Sequence, residues 1–288
     1  MNPAIGTAAP ISMEVRLDKH TVLPGQVWCA DRPRALVAIA HGLGEHSGRY
    51  AALASDLVRA RFTVAAFDLP GHGDTAGPRG DMTSWLHVRD QVVPAMFTAS
   101  RGMPGQPTNL PHVLLGHSMG GVLALDYALA HPKALHALIV SAPGLKSATP
   151  PWWKLALAQA ARVAAPSAGF PHGLPVSALS RDAEVVKAYQ DDPRVHDKIS
   201  PRLFFAFEEA RMRVLRDARK LAVPTLLFQG MADRMIDPKG TLEFAGLCPH
   251  GMVRFETLGD TYHEIFNDLG REKVVKHMID WLDAALVV

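Results

Sequence analysis

Six short apolar runs, separated for the most part by helix-like segments, constrain the fold of this chain most strongly. Several of the runs lack the polar alternation of a half-exposed strand, which suits strands buried on both faces of a mostly parallel sheet. The runs are ALVAIA (35–40), FTVAAFD (62–68), HVLLG (112–116), ALHALIV (134–140), PTLLFQG (224–230) and MVRFET (252–257). Alternating strands and helices predict an α/β fold with right-handed crossovers.

The N-terminal residues predict a hairpin at one edge of this sheet. MEVRLD (13–18) and QVWCA (26–30) have the composition of strands, and TVLPG (21–25) between them has the composition of a turn. The last segment of the chain, EKVVKHMIDWLDAAL (272–286), predicts a helix with one apolar face, because Val274, Met278 and Leu282 fall four residues apart.

One long region interrupts the alternation. Between residues 145 and 220 no strand of this kind is predicted, and three helix-like stretches follow one another: PWWKLALAQAARVAAP, RDAEVVKAYQ and the run from Pro201 to Lys220. We interpret residues 145–216 as a helical cap inserted over the sheet. Residues 1–144 and 217–288 would then form the two parts of the core domain.

Composition and charge exclude several classes of protein. The 288 residues carry 30 Lys and Arg against 28 Asp and Glu, which is no electrostatic footprint for nucleic acid. Two cysteines, Cys29 and Cys248, make neither a disulfide framework nor a zinc cluster. The first twenty residues have no basic stretch leading into an apolar one, and no apolar run is long enough to span a bilayer. We therefore expect a cytoplasmic protein without a signal peptide.

A serine lies between glycines where a predicted strand meets a predicted helix. Gly116, Ser118 and Gly120 follow HVLLG and precede MGGVLALDYALA, so G-x-S-x-G stands between a strand and a helix. That context is typical of a nucleophile elbow, a strained turn that exposes the serine at the edge of the sheet. The alternatives are a surface serine in a glycine-rich turn or a phosphate-binding loop. The phosphate-loop pattern G-x-x-x-x-G-K-[ST] is absent, which argues against the second alternative.

A nucleophilic serine needs a base, and the base needs an acid that orients it. Asp233 follows the predicted strand that ends in LLFQG, and His263 follows the strand MVRFET. Because parallel strands end at one sheet edge, both side chains could meet Ser118 there. Asp237 and Asp260 are rival acids, of which Asp260 fits less well because it shares a loop with His263.

A second group of polar residues has the composition of a metal site but not its spacing. His41, Glu45, His46, His72 and Asp74 match neither H-E-x-x-H nor a cysteine–histidine cluster. We expect these side chains to form local hydrogen bonds, and we predict neither a metal ion nor another cofactor.

Five motifs together resemble the monoacylglycerol lipase and lysophospholipase branch of the α/β hydrolases, which is often grouped with the serine aminopeptidases. They are HGLGEHSGRY (41–50), DLPGHGDTAGPRG (68–80), GHSMGG (116–121), QGMADRMID (229–237) and YHEIFN (262–267). The resemblance extends from about Met13 to Leu286 and is weakest in the predicted cap. It implies the α/β-hydrolase fold, with a mostly parallel sheet of about eight strands flanked by helices.

The resemblance also implies a role for each matching position. Ser118 corresponds to the nucleophile, Asp233 to the acid and His263 to the base. The backbone amides of Leu43 and Met119 correspond to the two donors of the oxyanion hole. Since these donors are main-chain groups, the side chains of Leu43 and Met119 matter little to the chemistry.

The expected activity is hydrolysis of a small acyl ester, such as a monoacylglycerol or a lysophospholipid. A peptidase or amidase on the same three residues remains open, and so does a binding protein that kept the fold without catalysis. Trp152 and Trp153 begin a helix rich in small apolar residues. One interpretation is that this helix packs on the core, and the other is that it forms an apolar wall for an acyl chain or a surface that touches lipid. Both can hold together. The oligomeric state is not predicted.

Overall fold

The computed structural model describes residues 9–18, 21–101, 103, 106–146 and 151–286. Within these ranges the main sheet has eight strands in the order β1-β2-β4-β3-β5-β6-β9-β10, and a separate pair, β7 and β8, lies outside it. The ten strands are β1 (Ile11–Arg16), β2 (Val22–Trp28), β3 (Ala35–Ala40), β4 (Phe62–Phe67), β5 (His112–His117), β6 (Ala137–Ser141), β7 (Phe170–Pro171), β8 (Lys198–Ile199), β9 (Thr225–Gly230) and β10 (Val253–Leu258).

The sheet is parallel except at one edge. Strand β2 pairs antiparallel with β1 and with β4, and every other neighbouring pair of the main sheet is parallel. The predicted α/β-hydrolase fold, a mostly parallel sheet of about eight strands, is therefore confirmed. In such a sheet the loops that follow parallel strands gather at the carboxyl edge, where α/β proteins bind their ligands.

Helices cover both faces of the sheet. In the described residues they are α1 (Ala51–Arg59), α2 (Trp85–His87), α3 (Val93–Arg101), α4 (Met119–Ala130), α5 (Trp152–Ala164), α6 (Ala183–Asp191), α7 (Pro201–Asp217), α8 (Pro238–Leu247) and α9 (Arg271–Ala285). A π-helical turn, Val88–Val92, joins α2 to α3. No helix in these ranges combines the length and the apolar character needed to cross a bilayer.

Alternation along the buried strands builds two apolar layers. In β3 the side chains of Leu36 and Ala38 face the layer formed with α3, α4, α7 and α8. Val37 and Ile39 of the same strand face the opposite layer, formed with α1 and α9. Because every residue of β3 is buried, this strand has no polar face, and its continuous apolar run follows from that position.

The predicted hairpin is present, but its turn was misassigned. Residues 22–25 of the expected turn TVLPG belong to strand β2. Gly25 lies there because β4 passes very close to it: a Cβ at this position would fall 2.3 Å from Phe67 Cδ1. The Pro-Gly pair therefore indicates a close approach of two strands rather than a change of direction.

The predicted cap region differs from the expectation in two ways. It contains two short strands, β7 and β8, that pair antiparallel. Its helices also differ in environment: α7 buries Leu203, Ala210 and Val214 in the layer around α4, whereas α5 buries no residue. Helix α5 contacts α7 through partly buried residues instead. The division of the chain at residues 145 and 216 stays a prediction.

The tight contact at Gly120 generates a stability prediction. A Cβ on Gly120 would lie 2.1 Å from the Ala40 carbonyl oxygen and 2.5 Å from that of His41. Since backbone atoms cannot move aside without shifting β3, Gly120→Ala should lower the free energy of unfolding by about 1–3 kcal/mol or more. Thermal and urea unfolding of the purified variant measure this change.

Gly246→Ala is the matched control, because Gly246 also lies in a helix and has no atom within 4 Å of an added Cβ. Alanine is the better helix former, so this variant should gain up to ~1 kcal/mol. Equal stability of the two variants would contradict the close packing described for Gly120.

Candidate active site

Ser118 occupies a strained turn between β5 and α4. Its backbone has φ 53° and ψ −114°, a conformation that costs free energy in any residue other than glycine. The two flanking glycines are required by packing: a Cβ on Gly116 would lie 2.3 Å from the Gly120 carbonyl oxygen. The chain therefore has strand, sharp turn and helix in the order that a nucleophile elbow requires.

Asp233 and His263 meet in the loops after β9 and β10. Their side chains are joined by a hydrogen bond of 2.7 Å between His263 Nδ1 and Asp233 Oδ2. The other carboxylate oxygen of Asp233 accepts from the backbone amides of Met235 and Ile236, at 2.8 and 3.0 Å. The rival acid Asp237 instead caps helix α8 by accepting from the Lys239 amide.

Charge and burial oppose each other in this pair. Burial alone would lower the pKa of His263, but the charge of Asp233 and their shared hydrogen bond raise it above its ordinary value. Burial alone would raise the pKa of Asp233, but the histidine and the two backbone amides lower it. The arrangement therefore keeps the carboxylate ionised and makes the imidazole a stronger base.

Ser118 and His263 line the same narrow cleft. Its remaining walls come from the loop after β3, the cap segment and the loops after β9 and β10; among them are Leu43, Leu174, Leu179, Tyr189 and Met235. Among the described residues no hydrogen bond joins the Ser118 hydroxyl to the imidazole. Such bonds are often long before substrate binds and shorten in the reacting complex.

The loop after β3 lies directly against the serine. A Cβ on Gly42 would fall 3.3 Å from Ser118 Cβ, so the following residue, Leu43, lies beside the cleft. His41 holds the start of this loop: its Nδ1 donates to the Gly42 carbonyl at 2.8 Å, and its Nε2 accepts from the Leu69 amide at 2.9 Å. These two bonds define one neutral tautomer of the His41 ring.

A buried ion network joins this loop to the loop that carries His263. Arg49 Nη1 donates to Glu45 at 2.8 Å and to Glu264 at 2.5 Å, and Arg49 Nη2 donates to the second Glu264 oxygen at 2.7 Å. Glu45 also accepts from the Gly42 amide at 2.6 Å and from the Tyr50 hydroxyl at 2.8 Å. The guanidinium therefore joins its own loop to a glutamate 215 positions further along the chain.

The same network controls the protonation of its members. Burial would raise the pKa of Glu45, but Arg49 above all lowers it to about 2. His117 packs against His263 with ring centroids 4.8 Å apart, and burial followed by that histidine's charge lowers the pKa of His117 to about 4. At neutral pH Glu45 is charged and His117 is neutral.

Sequence reasoning missed the roles of Arg49, Glu264 and His117. The i,i+4 spacing of Glu45 and Arg49 is a local signal for a charge pair. Nothing in the sequence indicates that Glu264 completes the network, because that contact exists only after β10 is in place.

The structure does not bring Trp152 and Trp153 to the cleft that Ser118 lines. Both begin helix α5, with 80% and 48% of their surface exposed. A role in contacting substrate is therefore still a prediction for these two side chains.

The polar residues that resembled a metal site make local hydrogen bonds. His41, Glu45 and His46 bond to neighbouring loop atoms, and His72 Nδ1 bonds to the Pro70 carbonyl. In the part of the chain that the structure describes, no group of three or more His, Cys, Asp or Glu side chains is arranged to hold a metal ion.

The Arg49 network generates a pH-dependent stability prediction. Arg49→Met leaves two carboxylates buried without a counter-ion, which should cost about 3–5 kcal/mol at neutral pH. In the wild type, Glu45 stabilises the fold above its unfolded pKa, and this contribution is lost as pH falls towards 2. In the variant, burial without Arg49 favours the protonated carboxyl, so the deficit should shrink as pH falls below about 4.

Urea unfolding between pH 3 and pH 8 measures this deficit. Arg162→Met is the control, because its partner Glu209 is half exposed and such pairs contribute only ~0–1 kcal/mol. A deficit in Arg49→Met that stays constant across this pH range would contradict the proposed cause.

Comparison with known proteins places this arrangement in a family. The profile of the family described as serine aminopeptidase, S33, matches residues 31–270. A monoacylglycerol lipase from Mycolicibacterium smegmatis is 31% identical over 264 residues, which cover 89% of this chain and 91% of that protein. The phospholipase YtpA of Bacillus subtilis is 32% identical over 255 residues, covering 86% and 95%.

Solved structures agree with the sequence matches. The crystal structure of a monoacylglycerol lipase from Paleococcus ferrophilus is similar with a TM-score of 0.82 and 32% identity, covering 91% of this chain and 99% of that one. One relative is much longer: this chain spans 28% of an uncharacterized abhydrolase domain-containing protein from Dictyostelium discoideum, at 31% identity. Family profile, relatives and fold agree, and the chain belongs to the serine aminopeptidase S33 family of α/β hydrolases.

Proposed function

We propose that the protein is a serine carboxylic-ester hydrolase that cleaves monoacylglycerols, lysophospholipids or similar acyl esters through an acyl-enzyme intermediate. The observation that carries this proposal is the 2.7 Å bond between His263 and Asp233 beside the cleft that Ser118 lines. The relatives named monoacylglycerol lipase and phospholipase support the substrate class.

Acylation begins at the serine hydroxyl. His263 Nδ1–H donates a hydrogen bond to Asp233 and keeps its proton, so Nε2 is the ring nitrogen that accepts a proton from Ser118. The serine oxygen attacks the ester carbonyl, and the negative charge develops on the carbonyl oxygen. The Met119 amide supports that charge because the first amides of a helix have no intrahelical partner. The Leu43 amide supplies the second donor.

Release of the two products uses the same histidine. Protonated His263 donates its Nε2 proton to the leaving alcohol as the tetrahedral intermediate collapses to the acyl-enzyme. A water molecule, deprotonated by the neutral imidazole, then attacks the acyl carbonyl and frees the acid and Ser118. Asp233 stabilises the imidazolium at each stage and holds the ring in one tautomer.

The charges around the cleft favour an ester over a peptide with a free amino terminus. An aminopeptidase binds a cationic amine, which calls for an unpaired carboxylate near the serine. Glu45 and Glu264 both line the cleft, yet both are bonded to the buried guanidinium of Arg49. Among the described residues that line the cleft, neither of these carboxylates is left without a cationic partner.

Labelling with a fluorophosphonate tests the proposed nucleophile. The wild type should form a covalent adduct at Ser118 and should hydrolyse p-nitrophenyl butyrate, because both reactions use the activated hydroxyl. Ser118→Ala should lose the adduct and nearly all turnover while unfolding at the same temperature. Mass spectrometry of the labelled peptide and a spectrophotometric assay give the two readouts.

A wild type that is folded yet neither labelled nor active would favour a non-catalytic binding protein. Turnover of a monoacylglycerol and of an amino-acid arylamide at equal concentration separates the two catalytic alternatives. Faster cleavage of the arylamide than of the monoacylglycerol would identify the protein as an amidase rather than an esterase.

Helix α5 is the part of the cap that we propose to touch lipid. Four of its large apolar side chains are exposed, namely Trp152, Trp153, Leu157 and Val163. Basic Lys154 and Arg162 accompany them, a combination suited to the surface of an anionic bilayer. The sequence predicts a cytoplasmic location, and we include that location in the proposal. A protein in the cytoplasm can still touch the surface of a bilayer in this way.

Substitution of the exposed apolar residues tests this contact. Trp152→Ser combined with Leu157→Ser should lower turnover of a monoacylglycerol in anionic vesicles by about tenfold, because less apolar surface enters the bilayer. Turnover of soluble p-nitrophenyl acetate should stay unchanged. Leu242→Ser, at an exposed position of α8, is the matched control. Equal losses on both substrates would contradict a role in lipid contact.

A further inference from the structure

The loop that carries Leu43 is held from two sides. On the core side, His41 and Glu45 bond to the backbone and to Arg49, as described above. On the opposite side it meets the cap segment Asp192–His196, called the strap below. The His196 amide donates to the Gly44 carbonyl at 2.9 Å, and His46 Nε2 bonds to Asp192 Oδ2 at 2.9 Å.

Backbone contact makes the strap a close neighbour of Gly44. Gly44 has φ +78°, and a Cβ there would lie 2.3 Å from the His196 carbonyl oxygen. The residue after Leu43 is therefore packed directly on the strap. A shift of the strap would therefore displace the loop one residue after Leu43, which lines the cleft.

The His46 ring gives the strap a second, side-chain attachment. His46 Nδ1 accepts from the Gly48 amide at 3.1 Å, so in the neutral ring the proton is on Nε2. That N–H points to Asp192 Oδ2 and is the only described bond of Nε2. The His46 side chain is 1% exposed, so loss of Asp192 would leave a buried donor without a partner.

We infer that Asp192 is a positioning residue of the reaction: through His46 it holds the Gly42–Gly44 backbone so that the Leu43 amide faces the developing oxyanion. The inference rests on the proposed esterase function. It also gives the cap a part in catalysis, because the strap belongs to the cap segment while the amide it orients belongs to the core.

Steady-state kinetics of Asp192→Ala on soluble p-nitrophenyl butyrate tests the inference. Loss of one oxyanion donor costs ~10²–10³ in rate, and a misplaced donor should cost less, so kcat should fall about 10- to 100-fold. KM should change by less than about threefold, because ground-state contacts are intact. The Ki of a decyl trifluoromethyl ketone should rise by the same factor as kcat/KM falls, since its adduct carries an oxyanion.

Three further variants separate positioning from folding. Asp192→Asn keeps an oxygen acceptor for His46 and should retain kcat within about threefold. Arg194→Gln removes the guanidinium bonds to Asp192 but keeps the bond from the Arg194 backbone amide, so the acceptor stays in place and kcat should also be retained. Asp191→Ala changes the preceding, exposed aspartate, which pairs with Lys187, and should be neutral. Thermal unfolding of each variant is measured alongside.

If Asp192→Ala does not fold, Asp192→Glu takes its place in the test. This variant keeps the negative charge but moves the acceptor for His46 by the length of one methylene. A matching loss of kcat and of ketone affinity in that variant supports the inference. The positioning role is overturned if folded Asp192→Ala or Asp192→Glu keeps the wild-type kcat. It is also overturned if Asp192→Asn loses as much kcat as Asp192→Ala. Neither result contradicts the proposed esterase function. Absence of wild-type turnover and labelling overturns the proposed function itself.

Discussion

The buried guanidinium of Arg49 is the interaction on which the candidate site depends. It neutralises two carboxylates that arrive from opposite ends of the chain, Glu45 after β3 and Glu264 after β10. Without a shared cation these carboxylates could not both be buried and ionised. Since Glu264 directly follows His263, the network holds the histidine loop and the Leu43 loop in one arrangement. Electrostatic pairing, rather than apolar packing alone, thus relates the proposed base to the proposed anion site.

A second constraint comes from close backbone packing around Ser118. The turn has a strained φ, and the contacts of Gly116 and Gly120 leave no room for a Cβ. Such strain persists only where the surrounding structure over-determines it, and here β3, β5 and α4 enclose the turn. The serine is therefore presented at the sheet edge by rigid elements. Above this base, the strap bonds to Gly44 and helix α5 is exposed.

Much of the fold follows from local sequence. The runs at 35–40 and 62–68 predict β3 and β4 within one residue, because strands buried on both faces are apolar throughout. The prediction of a turn at residues 21–25 was wrong. Pro24 and Gly25 are common in turns, but here the glycine is required because β4 passes too close for a Cβ. The meeting of Asp233 and His263 was predictable because each follows its own strand.

Long-range contacts set the limit of that prediction. The bond from Arg49 to Glu264 and the bond from His46 to Asp192 join residues 215 and 146 positions apart. Neither pair has a periodic or compositional signature, because each arises only when separate loops meet above the assembled sheet. The surroundings of helix α5 were left open for a related reason, since an amphipathic sequence does not reveal whether its apolar face meets protein or solvent.

A crystal structure of the protein after reaction with a fluorophosphonate tests whether Ser118, His263 and the two amides act at one point. We expect phosphorus bonded to Ser118 Oγ, one phosphonyl oxygen within hydrogen-bonding distance of the Leu43 and Met119 amides, and His263 Nε2 facing the serine oxygen. An adduct oxygen that points away from both amides, or a His263 ring turned from the serine, would contradict it.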